Sequence, residues 1–184
     1  MMKHLIEKYP WLVVKDPYAG PGEEPTTFID WIPEGWVKAF GEQLCEDLDK
    51  AINEAGIASE FQVDEAKEKY GSLSMYFGPT SKEVDAVERA YRAISETVCC
   101  RCGEIHGVKM VTRGWVSPYC RKCYGKITRN PDYNYFDNLP EETLPTTIRW
   151  SRFSKGGHET FEEDITETTN RIKENYKNRG TNNE

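Results

Sequence analysis

Four cysteines in two close pairs are the residues of this chain best placed to do chemistry: Cys99 with Cys102, and Cys120 with Cys123. Two residues separate the members of each pair, and seventeen lie between the pairs. That spacing lets both sulfurs of one turn reach a single ion, while the intervening loop brings the second turn round to complete a tetrahedron. Gly103 follows the first pair, where a metal knuckle needs a backbone conformation that costs a side-chained residue energy. Four thiolates would close the coordination shell of zinc and leave no open position for water or substrate, so the expected role is structural.

Other candidate ligands have weaker claims. Cys100 sits between two of the four and cannot easily join the same tetrahedron; it reads as a spare thiol, replacing Cys99 only if the register shifts. Cys45 falls on an amphipathic run and reads as a small core residue. His106 is an alternative ligand, although a surface position in the ribbon loop suits it better. An iron–sulfur centre and a thioredoxin-like dithiol compete with zinc. The dithiol reading suffers because two pairs occur and neither opens a βαβ unit.

The 184-residue chain carries a formal net charge of −7, unevenly spread. Residues 99–130 hold Arg101, Lys109, Arg113, Arg121, Lys122, Lys126 and Arg129 against Glu104 alone, a balance of +6 that leaves −13 on the rest. Overall acidity argues against indiscriminate nucleic-acid binding, whereas the basic patch allows a local phosphate contact. Arg101, Lys109, Arg113, Arg121, Lys122 and Lys126 are the candidate nucleic-acid or partner contacts; the plainer reading is that they solvate an exposed lobe and offset its thiolates. Trp115 and Tyr119 are offered either to bases, by stacking, or to packing beside the metal. No apolar stretch of about 18 residues occurs, so no membrane span is expected. Met1 to Lys8 lacks the long apolar core of a secretory signal, which points to a cytoplasmic protein with reduced thiols.

The elements that must position these residues follow from periodicity. Residues 4–14 predict a short helix, a break at Tyr9-Pro10 and an extended run Trp11 to Val14. Asp16 to Thr27 predicts a loop. From 34 to 55, Trp36, Val37, Phe40, Leu44, Leu48, Ala51, Ile52 and Ala55 recur on one helical face, with Gly56 placed to end the helix. Alternation around Phe61–Val63 and Leu73–Phe77, with Gly71 between, predicts a hairpin. Thr80 and Glu83 suggest a capping box for a second helix running to Val98 and feeding Cys99. Two short strands are expected within the ribbon, joined near Arg113-Gly114. Residues 130–145 should loop, and Thr146 to Phe153 should form one more strand. Gly156-Gly157 then precede a tail that allows a weak amphipathic helix through Phe161, Ile165, Ile172 and Tyr176, with Asn178 to Glu184 disordered.

The expected architecture is α+β. An acidic domain over 1–98 contains two helices and a small antiparallel sheet, a projecting four-cysteine zinc ribbon spans 99–128, and a polar C-terminal extension over 129–184 is partly disordered or partner-binding. Enzymatic machinery is hard to assemble. His4, His106 and His158 stand in different segments, and no phosphate-binding loop, nucleophile elbow or zinc-protease helix occurs. A binding protein is expected.

Several motifs occur together: Tyr9-Pro10, Gly35-Trp36 opening a helix with Leu44-Cys45, the segment Lys67-Glu68-Lys69-Tyr70-Gly71-Ser72-Leu73, the C-x2-C-G knuckle, and Gly114-Trp115 before the second pair. In these the chain resembles a family of largely uncharacterised bacterial and phage proteins with a C-terminal zinc ribbon, over about residues 5–125. The resemblance implies an accessory protein of a phage or other mobile element, working in the bacterial cytoplasm. It further implies a stoichiometric inhibitor of a host nucleic-acid-processing defence complex, such as a Cas9-type RNA-guided nuclease (an anti-CRISPR). The alternative is a DNA- or RNA-binding accessory factor in transcription or replication that uses the basic ribbon directly.

Overall fold

The computed structural model describes residues 3–14, 26–113, 115–129, 131–140 and 143–181. Its backbone is organised by the strongest amphipathic run in the sequence. α2 (Glu34–Trp36), a π-helical turn (Val37–Gly41) and α3 (Glu42–Glu54) continue into one another as a single helix. Its apolar stripe is deeply buried: Trp36, Phe40, Leu44, Leu48 and Ile52 are each at most 2% exposed. Gly56, at φ +69°, ends the run in the left-handed region, as its position predicted.

α4 (Lys82–Ser95) crosses this helix, with Tyr91 and Ile94 facing inward. Tyr91 packs on Phe40 and donates a 2.7 Å hydrogen bond to Asp47. Its N-cap is Ser81, whose Oγ accepts from Val84 N, so the cap lies one residue beyond the expected Thr80; Thr80 instead donates to Asp85. The helix also stops at Ser95, before Val98. Ser95 Oγ accepts from Leu73 N at 2.8 Å and pins the helix to the first hairpin.

That hairpin pairs β1 (Gln62–Lys69) with β2 (Ser72–Gly78) around Tyr70-Gly71, as the alternation predicted. The amino-terminal segment is different. After α1 (Lys3–Lys8), Pro10–Leu12 coils into a 3-10 turn in place of the expected strand. Proline fixes a helical φ at the first position of that turn, and only the bridge Val13↔Thr27 remains extended. Most of the expected loop from Asp16 to Thr27 lies outside the described residues.

Two further antiparallel pairs complete the strands: β3 (Val108–Arg113) with β4 (Trp115–Cys120), and β5 (Thr147–Ser154) with β6 (Gly157–Asp164). α5 (Arg121–Ile127) and α6 (Thr166–Thr181) follow them. The α+β class holds, but its content is corrected. The described residues form five helices, counting α2 and α3 as one, and three two-stranded sheets, against the expected two helices and one small sheet. Each short apolar run closes on its own neighbour as a hairpin.

The carboxy-terminal segment also departs from expectation. Leu144, Ile148, Ile165 and Ile172 join the main core, and Phe161 lies in β6 where a helix was expected. Asn178 to Thr181, expected to be disordered, belong to α6; the final three residues lie outside the described set. α6 is held by Ile172, fully buried, and by Arg171, which reaches Asp47 at 2.5 Å and Glu46 at 3.1 Å on α3. A polar helix with one buried isoleucine per few turns gives a weak periodic signal, yet burial and ion pairing suffice to dock it. Among the described residues no helix is long and apolar enough to cross a membrane.

Candidate metal centre

The chain reaches the first knuckle directly from α4, through Val98, which is fully buried. Trp36 Nε1 donates to Val98 O at 3.0 Å and Gly35 N donates to Cys100 O at 2.9 Å, so the start of α2 grips the knuckle backbone. Two glycines make this contact possible. A Cβ on Gly35 would lie 2.2 Å from Cys99 O, and one on Gly103 would lie 2.6 Å from Gly35 O. Gly103 also holds φ +77°, the conformation its place after the pair requires. The ribbon is therefore docked on the main helix where a projecting lobe was expected.

The second knuckle is built differently. Cys120 ends β4 opposite Val108, and Cys123 lies in the first turn of α5. Cys99 N donates to Glu104 O at 2.8 Å and closes the first knuckle, while Cys100 N donates to Pro118 O at 3.0 Å and ties it to the strand carrying the second. The sulfurs of Cys99, Cys102, Cys120 and Cys123 consequently lie within 4.8 Å of one another. Tetrahedral thiolate–zinc bonds of about 2.3 Å imply sulfur–sulfur edges of about 3.8 Å. Cys102 Sγ and Cys120 Sγ stand 3.7 Å apart. A disulfide needs about 2.0 Å, and all six cysteines are free thiols. Four soft donors at tetrahedral spacing, three of them buried, fit a thiophilic metal ion.

Crowding divides the protons unevenly. The hydrogen bond from Cys120 is the main cause that pushes the Cys99 thiol down to about 5. The same contact pushes Cys120 up. Burial, ahead of the Cys102 contact, raises Cys123 to about 11. Cys100 lies outside the four-sulfur group; burial raises it to about 12, and it is hydrogen-bonded with Tyr119. Cys45 is fully buried in the main core, as expected. His106 is exposed, with its ring edge-on to Tyr176 at 5.3 Å, and is not among the clustered donors.

Beside the centre lies an open cleft of about 850 Å³ whose walls include Cys102, His106, Arg121, Lys122, Lys126 and Tyr176. Cys120 and Cys123 line the cleft as well, and Cys102 is the one exposed cysteine of the four. Of the predicted basic contacts, the structure brings Arg121, Lys122 and Lys126 together here. All three are exposed; Arg121 also reaches Asp137 at 3.4 Å, while Lys122 and Lys126 have no carboxylate partner among the described residues. Lys109 stands elsewhere, over the Tyr135 ring at 5.6 Å. Arg101 is exposed in the knuckle turn. Arg113 ends β3 opposite Trp115, and its side chain lies outside the described residues.

Tyr119 packs against the cysteine cluster, but Trp115 does not: it is 63% exposed, with its indole N–H donated to Glu68. The residues that sequence reasoning left out are Tyr176 and Glu104. Tyr176 reaches the cleft from α6 and donates to Glu104 at 2.6 Å. No local signal links positions so far apart. Comparison with known protein families, with curated proteins and with solved structures finds no match.

Proposed function

We propose that this protein is a non-enzymatic, zinc-stapled binding protein that engages a nucleoprotein complex through the cationic cleft beside its four cysteines. Cys99, Cys102, Cys120 and Cys123 would hold the zinc, which supplies a structural cross-link. The observation that carries the reading is the convergence of Arg121, Lys122 and Lys126 on one open cleft, two of them without a carboxylate partner among the described residues. Such groups bind phosphate oxygens and set register on a backbone without reading its sequence. The acidic remainder of the chain suits the cationic protein surfaces that nucleic-acid-processing complexes present. In its specific form, and following the resemblance to phage-borne ribbon proteins, the protein is a stoichiometric inhibitor of a host defence complex such as a Cas9-type RNA-guided nuclease.

The test is a titration into a nuclease reaction with guide and target present. Cleavage should stop near molar equivalence with the effector, and the triple change Arg121→Glu, Lys122→Glu, Lys126→Glu should abolish inhibition. Undiminished cleavage in large excess, across a panel of effectors, sinks the inhibitory role.

The exposure of Trp115 favours a second reading, a factor that binds DNA or RNA directly. Affinity for naked nucleic acid would then fall with salt, with a log–log slope of about −2 for three phosphate contacts to a single strand. Binding that needs the effector separates the first reading from the second.

A further inference from the structure

Two exposed aromatic rings stand on hairpins that touch each other. Tyr70 is 73% exposed at the tip of the β1–β2 hairpin, and Trp115 opens β4. Tyr70 and Gly71 are the two central residues between the paired Lys69 and Ser72, and both have positive φ, 53° and 87°. Such a turn favours Asn or Gly at its first position, because a side chain with a Cβ is strained there. Tyrosine accepts that strain and recovers nothing by burial, since its ring stands in solvent.

The placement is braced. A Cβ on Gly71 would lie 2.2 Å from the Met110 sulfur and 3.5 Å from Val116 O, so this turn sits against the ribbon hairpin. One carboxylate holds both sides: Glu68 accepts the Gly71 N–H on one oxygen and the Trp115 indole N–H, at 2.6 Å, on the other. Glu68 thus holds the Trp115 ring and the backbone of the turn that carries Tyr70, and neither ring is consumed by the core. Lys69 is exposed beside Tyr70. Flat exposed rings with a cation beside them suit stacking on bases.

We infer that Tyr70 and Trp115 form a stacking platform for unpaired nucleobases, with Lys69 beside them holding a connecting phosphate. The inference rests on the reading of the lobe as a phosphate-binding surface and adds to it the class of ligand, single-stranded nucleic acid. The zinc-loaded full-length protein is titrated, by fluorescence anisotropy at fixed salt, with a labelled oligothymidylate and with an abasic oligonucleotide of equal length. The oligothymidylate should bind more tightly. Tyr70→Gly, which suits the turn, and Trp115→Ala should each weaken it by roughly tenfold, leave the abasic strand unchanged, and so remove the preference; Tyr70→Phe should retain it. Equal affinity for the two strands overturns the platform and leaves the cationic cleft standing, and loss of a protein partner in the same variants would then assign the rings to protein docking. A base preference that survives both ring deletions also overturns it. No binding of either strand overturns the platform together with direct phosphate contact.

Discussion

The body and the ribbon of this molecule are held together by different physics. In the body, apolar side chains from α1, α2, α3, α4 and α6 form one continuous core around Trp36, Leu48 and Ile94. Apart from Ile105 and Cys100, which join that core, the described ribbon residues form two small clusters, one of Val111, Tyr124 and Phe136, the other of Val108 with three of the cysteines. So little apolar burial does not offset the conformational entropy of ordering the segment. A bound cation can, since zinc contributes about 10–16 kcal/mol of apparent binding energy in small finger peptides. A lobe stapled from inside need not reserve its surface for packing. That surface is where this chain concentrates its positive charge.

The sharpest way to break the comparison is to remove the metal staple proposed above. Chelation, or Cys120→Ser, should collapse hydrogen-exchange protection over residues 99–140 while α3 and α4 stay protected; uniform loss, or none, would show that the two regions do not differ in this way. Next in size is the body itself. Leu48→Ala should cost about 2–5 kcal/mol in global denaturant unfolding, because the cavity lies in a tight core, and metal saturation should not restore it.

A smaller effect comes from Tyr91, which links α4 to Asp47 on α3. Burial first, and Asp47 next, raises its phenol above the ordinary value near 10. The folded protein therefore keeps this proton after the unfolded chain has lost it. The stabilisation is complete below about pH 10 and is lost as pH rises through the folded value. Tyr91→Phe should cost about 1–3 kcal/mol at neutral pH and flatten the alkaline limb of the stability curve. The smallest change belongs to the β5–β6 hairpin, where Arg152 meets Glu159 at 3.1 Å with both side chains about half exposed. Arg152→Ala should shift stability by less than about 1 kcal/mol, and a larger loss would mean that this hairpin is held as the core is.

The sequence was most legible where one residue type had one physical use. The helix over 34–55 was readable because Trp36, Phe40, Leu44, Leu48 and Ile52 repeat on one face, and Gly56 ends it as a left-handed glycine does. The π-helical turn inside it left no sequence signal. Trp11 to Val14 misled because a short apolar run does not distinguish a strand from a coiled turn, and Pro10 decided for the turn. The carboxy-terminal helix was undervalued because its apolar positions are sparse; Arg171 docks through Asp47 and Glu46, more than 120 positions earlier in the chain.

The spacing of Cys99, Cys102, Cys120 and Cys123 by itself determined which four sulfurs come together, since short loops restrict what their ends can reach. The excess of Lys and Arg around them likewise came from composition alone. Only the tertiary structure decided that Arg121, Lys122 and Lys126 share one cleft while Lys109 turns to Tyr135, and that Trp115 stands in solvent. The reason is range: spacing governs contacts across a turn, whereas Gly35 against Cys99 and Glu68 against Trp115 depend on where whole elements pack.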